Sequence, residues 1–300
     1  MTFYYFIWNT LKKDLALKAD RWKILSLSIC SLRKIYKKEK IKVVCYTEPP
    51  EFFKKNINTL NLEIVQLEIK NEKIFKKFNS KELPLFEVNK HLLLKICDFI
   101  SLAKDDEKVA VLDCDIFFIN KFNEDKIDFE KINLAEFKPT GCLNSGLIIA
   151  NAKSESFSIL QKSLQKEIEV ICNEKFNQQK YIEINFGKEW LDWRLKSLNI
   201  KAKEIKTNHL FFQEEILLNS IKNKNEKIFN DMGLENNGYL WKSKKINFRN
   251  IHMINHSPKQ IEEILNSLNY FNKKEKNKNS NKYENEINLI KKILKKKICF

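Results

Sequence analysis

The chain has 300 residues, of which 43% are apolar and 12% aromatic, enough to build the core of one large α/β domain or two small ones. Its formal net charge of +16 is compatible with nucleic acid, anionic lipid or a polyanionic substrate as a partner, and equally with a plain lysine-rich composition. The five glycines cannot form the signature of a dinucleotide-binding Rossmann fold or of a P-loop, so both motifs are excluded. If a nucleotide binds, side chains and a metal must hold it.

Seven cysteines are present without any CxxC pair, which predicts mostly buried thiols in a reducing compartment rather than disulfides or a zinc site. The first residues lack the basic segment of a signal peptide, and no apolar run approaches the length of a membrane span. We therefore expect a cytoplasmic protein, either soluble or attached to the inner face of the membrane.

The hydrophobic pattern predicts strands that alternate with helices. In chain order it predicts a strand at 3–8, a helix at 21–36, strands at 42–46 and 61–68, a helix at 92–103, strands at 108–119 and 143–150, and a helix at 155–175. Residues 180–250 mix short helical and strand patterns. This alternation is typical of an α/β fold with a mixed, mostly parallel sheet.

The C-terminal part begins with a helix start, where Ser257 suits the N-cap, Pro258 the first helical position and Gln260 completes a capping box. At the end of the chain, an apolar stripe and five lysines predict a helix suited to an anionic membrane surface. A solvated tail, or a helix packed on the body, is the alternative. The predicted organisation is a main domain at 1–271, a flexible linker at 272–285 and a basic amphipathic helix at 286–300.

Asp113 and Asp115 follow the most apolar strand of the chain, in the string VAVLDCDIFF. In an extended strand, side chains at i and i+2 share one face about 7 Å apart, so the two carboxylates are expected together, with Cys114 opposite. Two carboxylates between buried runs are costly unless compensated, and a divalent cation such as Mg²⁺ or Mn²⁺ removes that cost. The alternative is an exposed strand end that begins a turn.

The strings VLDCDIFFI and CLNSGLIIAN resemble the retaining glycosyltransferases that include glycogenin and the bacterial lipopolysaccharide galactosyltransferases. Those enzymes carry a YLDxD strand followed by an FNSGV strand. The resemblance covers roughly residues 3–260 and implies a single domain of the GT-A (nucleotide-diphospho-sugar transferase) fold, with the predicted basic helix as a tail.

The same resemblance implies a metal site and a diphosphate contact. The family ends its domain with HFxGxxKPW, and HMINHSPKQI is similar, with His252 matching the metal-ligand histidine and Lys259 the lysine that meets the donor diphosphate. Here Asn255 stands where the family has glycine, and no tryptophan follows. His256 competes with His252 for the ligand position, and His252 could also be an ordinary core histidine.

The remaining site residues are also implied by the resemblance. Lys95 matches the basic residue that precedes the DxD strand, and Asp192 in EWLDWRLKSLNI is the nearest substitute for an absent DQxxLN helix. Both are candidates for catalysis, although Asp192 could instead be a capping or ion-paired residue. The donor-binding candidates are Trp8, Asn9, Thr10, Lys95, Asn144, Ser145 and Lys259, and the metal candidates are Asp113, Asp115 and His252.

The function implied is metal-dependent, retaining transfer of a sugar from a nucleotide sugar, a UDP-sugar in the family, to a bacterial surface glycan, with Mn²⁺ or Mg²⁺ as cofactor. The partners are the donor, a lipid-linked glycan acceptor and an anionic membrane contacted through 286–300, without specific nucleic acid. Three alternatives remain open. The first, a nucleotidyltransferase, is disfavoured because residues 9–20 lack the glycine- and arginine-rich loop of such enzymes. The second is a nucleic-acid-binding protein, although the chain contains no recognisable nucleic-acid-binding motif. The third is a catalytically silent scaffold of the same fold.

Overall fold

The structure is a computed structural model. It describes residues 1–7, 18–46, 48–55, 57–67, 86–103, 106–118, 120–137, 142–171, 176–198, 214–233, 236 and 250–252. The described strands are β1 (Thr2–Ile7), β2 (Lys40–Cys45), β3 (Leu62–Gln66), β4 (Lys108–Leu112), β5 (Ile116–Phe118), β6 (Ile132–Phe137), β7 (Cys142–Asn151), β8 (Phe229–Asp231) and β9 (Asn250–His252). The described helices are α1 (Lys18–Ile35), α2 (Glu51–Lys54), α3 (Ile57–Leu60), α4 (Phe86–Ala103), α5 (Glu155–Ile171), α6 (Gln178–Phe186), α7 (Lys188–Leu198) and α8 (Glu214–Lys224).

Within the described residues, seven strands form one sheet in the order β3-β2-β1-β4-β7-β6-β8, and β5 pairs with β9 in a separate two-stranded sheet. β1 and β3 both run parallel to β2, and β8 runs parallel to β6. β6 and β7 are antiparallel, with a register shift between Asn133 and Ala135. The predicted α/β fold with a mixed, mostly parallel sheet is confirmed.

The chain forms two compact units. We call the one that contains β1–β3, α1–α3, β5 and β9 the β1 unit, and it also includes the turn from Leu112 onward. The other, which we call the β7 unit, contains α4, β4 as far as Val111, β6–β8 and α5–α8. The predicted site residues that the structure describes are therefore divided between two folding cores.

The core of the β1 unit lies where α1 packs against β1 and β5. Every residue of β1 is buried, as a strand covered on both faces must be. An aromatic cluster joins Phe3, Tyr36, Phe118 and Phe122, with ring centroids 4.9 to 6.3 Å apart. Since each such pair adds about 0.5–1.5 kcal/mol beyond the burial of its area, this cluster stabilises the packing of β5 against β1 and against the residue that follows α1.

The core of the β7 unit lies around β7, whose residues from Leu143 to Ala150 are all buried. The Ser154 hydroxyl accepts a hydrogen bond from the Phe157 amide at 3.2 Å, which makes Ser154 the N-cap of α5. Gly187 separates α6 from α7 with φ of +83°, a conformation that a side chain would strain. The unit is thus built from a buried strand and well-capped amphipathic helices.

Some predicted elements differ from the observed ones. The strand predicted at 108–119 is wrong as one piece, because β4 ends at Leu112, a turn follows, and β5 belongs to a different sheet. α4 begins at Phe86, before the predicted 92–103, and the last residues of the helix predicted at 155–175 lie outside the described part of the chain. The helix predicted at 257–271, the linker 272–285 and the tail 286–300 lie outside the described residues.

None of the four described cysteine side chains, Cys30, Cys45, Cys97 and Cys114, forms a disulfide. Only Cys45 is buried, so the expectation of mostly buried thiols is wrong for the other three, which are half-buried. None of the described helices combines the length and the apolar character needed to cross a bilayer.

Candidate functional site

The candidate metal ligands Asp113 and Asp115 lie in a turn at the carboxyl end of β4. The Ile116 amide donates to the Asp113 carbonyl at 3.4 Å, which closes the turn before β5 begins. The prediction that the two carboxylates alternate along one extended strand is therefore wrong, because the strand ends one residue before Asp113. Both aspartates are half-buried. A turn at the carboxyl end of a strand is the usual position for ligand-binding residues in an α/β sheet.

The backbone brings His252 next to this turn. β5 and β9 pair in antiparallel register, with Ile116 opposite His252 and Phe117 opposite Ile251. His252 is thus in register with the residue that directly follows Asp115, although the two are far apart in sequence. The side chain of His252 is not among those described, and the described side chains contain no group of three or more potential metal ligands.

The donor set nonetheless fits a hard divalent cation. Two half-buried carboxylates at one turn supply oxygen ligands, which Mg²⁺ and Mn²⁺ prefer, and a histidine in register on the neighbouring strand is a compatible third ligand. The pairing of β5 with β9 places the backbone of His252 beside this turn, whereas His256 lies outside the described residues.

Two serine hydroxyls of α1 form hydrogen bonds with the backbone of β5. These contacts were not predicted from the sequence. The Ser28 hydroxyl donates to the Ile116 carbonyl, and the Ser31 hydroxyl accepts from the Phe118 amide at 2.9 Å. The Tyr5 hydroxyl lies 2.9 Å from Ser28 Oγ. The signal was present in SLSICSL, where serines at positions 28 and 31 interrupt the apolar face of a helix and therefore require buried partners.

Tyr5 and Tyr36, both in the β1 unit, keep their hydroxyl protons at neutral pH. Burial raises the pKa of Tyr5 far above its ordinary value, against a smaller lowering by the hydrogen bond with Ser28. Burial likewise raises the pKa of Tyr36 to about 12, opposed by its hydrogen bond with the backbone of Phe122. Tyr36 accepts from the Phe122 amide at 2.9 Å. Both hydroxyls therefore act as fixed, neutral hydrogen-bonding groups.

A second group of predicted residues lies within the β7 unit. Lys95 of α4 is fully buried, and its ammonium donates to the Ser145 carbonyl of β7 at 3.2 Å. Asn144 and Ser145 are both 2% exposed. The structure therefore brings together three of the residues that the sequence assigned to the donor sugar. A buried ammonium and buried amides of this kind are the groups that orient a polar ligand.

Asn144 has an unsatisfied donor. Its Oδ1 accepts from the Gly146 amide at 2.7 Å, but its buried Nδ2 has no hydrogen-bond partner. A buried polar group without a partner is rare in folded proteins, because it has lost its hydrogen bonds to water and has formed none within the protein. An unpaired donor of this kind, one residue from the carbonyl that Lys95 binds, favours a ligand-binding site here. In the described part of the chain the other such atom is Trp22 Nε1, in the β1 unit.

Asp192 is exposed, unlike these buried groups. It occupies the exposed side of α7, which also carries the partly exposed ring of Trp193. Trp190 of the same helix stacks on Phe186 with ring centroids 4.6 Å apart.

Several predicted residues lie outside the described part of the chain. They are Trp8, Asn9, Thr10, His256 and Lys259.

Comparison with known proteins identifies the fold through structure alone. No protein-family model matches the chain, and no curated protein matches it in sequence. Among solved structures, the bifunctional glycosyltransferase WbbM aligns with a TM-score of 0.50 at 9% identity, over 85% of this chain and 46% of its own. The chain therefore spans about half the length of WbbM. Mouse xyloside xylosyltransferase 1 aligns with a TM-score of 0.47 at 11% identity, over 86% of this chain and 99% of its own. The Q189E variant of LgtC aligns with a TM-score of 0.46 at 12% identity, over 86% of this chain and 89% of its own. The α/β fold of this chain is therefore similar to that of the glycosyltransferase WbbM.

Proposed function

We propose that this protein is a metal-dependent, retaining glycosyltransferase that moves a sugar from a nucleotide-sugar donor to a glycan acceptor. One observation carries the proposal: in a fold of the GT-A type, a pair of aspartates follows the carboxyl end of β4, and β9 brings His252 into register beside the strand that follows them. The string resemblances at both places agree with that assignment. By the same resemblance the donor is a UDP-sugar, and the acceptor is a bacterial surface glycan of the lipopolysaccharide, lipooligosaccharide or capsule type.

By the resemblance, two aspartates, a histidine and a lysine would supply the groups for the diphosphate. Asp113, Asp115 and His252 would hold Mn²⁺ or Mg²⁺, and a cation bound there supplies positive charge to the departing diphosphate. Lys259 would add a second positive charge at the start of the helix predicted at 257–271, where the helix dipole also favours an anion. Trp8, Asn9 and Thr10, which follow β1, would contact the base.

By the resemblance, a second set of residues would supply the groups for the sugar. Asn144 Nδ2, which has no hydrogen-bond partner, would donate to a sugar hydroxyl. The Lys95 ammonium donates to the carbonyl of Ser145, the residue that follows Asn144. Ser145 would bind a further hydroxyl. Asp192 would accept hydrogen bonds from the donor sugar or lie near the reacting carbon, as the resemblance implies. Retention of the donor's anomeric configuration is what the family resemblance implies.

The basic segment 286–300 would keep the enzyme close to its acceptor. Residues 272–300 contain ten lysines and three glutamates, and lysines near an anionic bilayer each add about 1 kcal/mol of attraction. The proposed location is the cytoplasm, at the inner face of the membrane, where a lipid-linked glycan would be extended.

A thermal-shift panel of nucleotide sugars with and without Mn²⁺ tests the proposal, using the wild type and Asp115→Ala. A ligand that binds only the folded protein raises Tm, so a UDP-sugar should raise it when Mn²⁺ and Asp115 are both present. Asp128→Ala is a matched control, since Asp128 is a half-buried aspartate in the loop before β6, in the other unit. If every nucleotide sugar leaves Tm unchanged in the folded wild type, the catalytically silent scaffold becomes the better account.

A further inference from the structure

The edge of β5 that faces α1 is paired by side chains instead of by a strand. Ser28 binds the Ile116 carbonyl and Ser31 binds the Phe118 amide, so the hydroxyls of α1 take the place of a neighbouring strand. In a strand, the backbone groups of alternate residues point to opposite edges. Ile116 and Phe118 therefore face α1, and Phe117, which lies between them, faces β9. β5 is held on both edges.

The hydrogen bonds of this edge have a defined direction. Ser28 has one hydroxyl hydrogen, which it donates to the Ile116 carbonyl. Its oxygen must therefore be the acceptor in the 2.9 Å contact with Tyr5, and Tyr5 is the donor. The Ser31 hydroxyl in turn donates to the Ser28 carbonyl at 2.6 Å. A chain of hydrogen bonds thus runs from β1 through α1 to the first residue of β5.

This chain ends one residue from Asp115. The Ile116 amide closes the turn that carries Asp113 and Asp115, while the Ile116 carbonyl is the group that Ser28 holds. The same residue is in register with His252. A displacement of Ile116 would therefore move the carboxylate turn relative to the histidine strand.

We propose that Tyr5 and Ser28 are positioning residues for the metal-binding turn, which they hold through the Ile116 carbonyl in the geometry that a divalent cation requires. This inference rests on the proposed metal site. Tyr5 and Ser28 are 0% exposed and touch neither donor nor acceptor in this role. Their effect reaches the cation only through the backbone.

The test is a titration of the purified full-length protein with Mn²⁺, followed by isothermal calorimetry, for the wild type, Tyr5→Phe and Ser28→Ala. Ser26→Ala is the matched control, because Ser26 lies on the same helix but donates to the Trp22 carbonyl of that helix at 2.8 Å. Loss of partners that orient metal ligands usually weakens metal binding by roughly tenfold or more. We expect a loss of that size for Ser28→Ala, a smaller loss for Tyr5→Phe, and a change within about twofold for Ser26→Ala, whose hydroxyl is independent of β5.

The outcomes separate this inference from the proposed function. A wild type that does not bind Mn²⁺ overturns both. A wild type that binds, with Ser28→Ala and Tyr5→Phe binding equally well, overturns the positioning role and leaves the proposed function standing. If Ser28→Ala does not fold, Tyr5→Phe decides alone, since it keeps the ring and removes only the donor. A Tyr5→Phe/Ser28→Ala double variant should lose no more affinity than Ser28→Ala, because both residues act through one chain of hydrogen bonds.

Discussion

The replacement of Asn144 by alanine should cost far less stability than the same replacement at Asn133, although both asparagines are buried in adjacent strands. Asn133 is fully satisfied. Its Oδ1 accepts from the Asp128 amide and from Asn230, and its Nδ2 donates to the Asp128, Lys131 and Ile149 carbonyls, at distances of 2.7 to 3.0 Å. Asn144 makes one bond through Oδ1, and its Nδ2 makes none.

The magnitudes follow from these bonds. Each hydrogen bond contributes about 1 kcal/mol net, so Asn133→Ala should lower the free energy of unfolding by about 3–5 kcal/mol, with water restoring part of the loss. At Asn144 the lost bond to Gly146 costs about 1 kcal/mol, while removal of the desolvated amide returns about 1–3 kcal/mol. The same side-chain atoms are removed in both cases. Asn133→Ala should therefore be less stable than Asn144→Ala by at least about 2 kcal/mol.

Urea unfolding followed by circular dichroism measures both values, and repeating it with a UDP-sugar and Mn²⁺ tests the role of the free donor. The ligand should stabilise the wild type and should stabilise Asn144→Ala much less, because the amide would gain its missing partner from the sugar. Equal destabilisation of the two variants without ligand would refute the reasoning, since it would mean that Asn144 is as well satisfied in solution as Asn133.

Three further predictions concern other parts of the molecule. Because the pKa of Tyr36 is raised from 10.0 to about 12 in the folded protein, the stability that its hydroxyl provides should be complete below pH 10 and lost as the pH rises toward 12; a stability difference between wild type and Tyr36→Phe that stays constant up to pH 12 would contradict this. Lys224 forms an ion pair with the buried Glu167 carboxylate, so Lys224→Met should lower the free energy of unfolding by about 1–2 kcal/mol. The loss is smaller than for a fully buried pair, because Lys224 is half exposed. Adding Glu167→Gln should restore part of the lost stability, because it removes the unpaired buried charge. The control Lys40→Met, whose partner Glu63 is 46% exposed, should leave urea unfolding unchanged. Removal of residues 286–300 should abolish sedimentation with vesicles that contain anionic lipid, and equal sedimentation of the shortened and full-length proteins would exclude the tail as the membrane contact.

The sequence predicted the sheet well because its strands are unusually apolar. The runs at 3–8, 42–46 and 143–150 correspond to β1, β2 and β7, which are buried nearly throughout and therefore read as continuous hydrophobic segments. The run at 108–119 misled for the same reason. Apolar residues lie on both sides of the aspartates, so the hydrophobic pattern predicts one continuous strand. It does not predict the backbone turn that separates β4 from β5.

The candidate site was predictable where a short motif marks it and unpredictable where only tertiary contacts do. Asp113 and Asp115 were predicted from their position after an apolar strand, and His252 from a resemblance of short strings. The pairing of β5 with β9 could not be predicted from the sequence, because β9 has only three residues and its partner is distant. The roles of Ser28 and Tyr5 depend on contacts between α1, β1 and β5, which hydrophobic periodicity does not specify. Asp192 was chosen by analogy with a motif that the chain lacks, and it lies exposed on α7.

Release of UDP from UDP-sugars in the presence of Mn²⁺ tests the central claim most directly, measured by chromatography for the wild type and for Asp115→Asn. Positive charge at the leaving diphosphate is worth several kcal/mol, so the variant should release UDP at least about a hundredfold more slowly. Release from one UDP-sugar that depends on Mn²⁺ and on Asp115 is the predicted result. No release from any of them by a wild type that binds the donor, or release that Asp115→Asn leaves unchanged, would contradict the assignment of this protein as a metal-dependent glycosyltransferase.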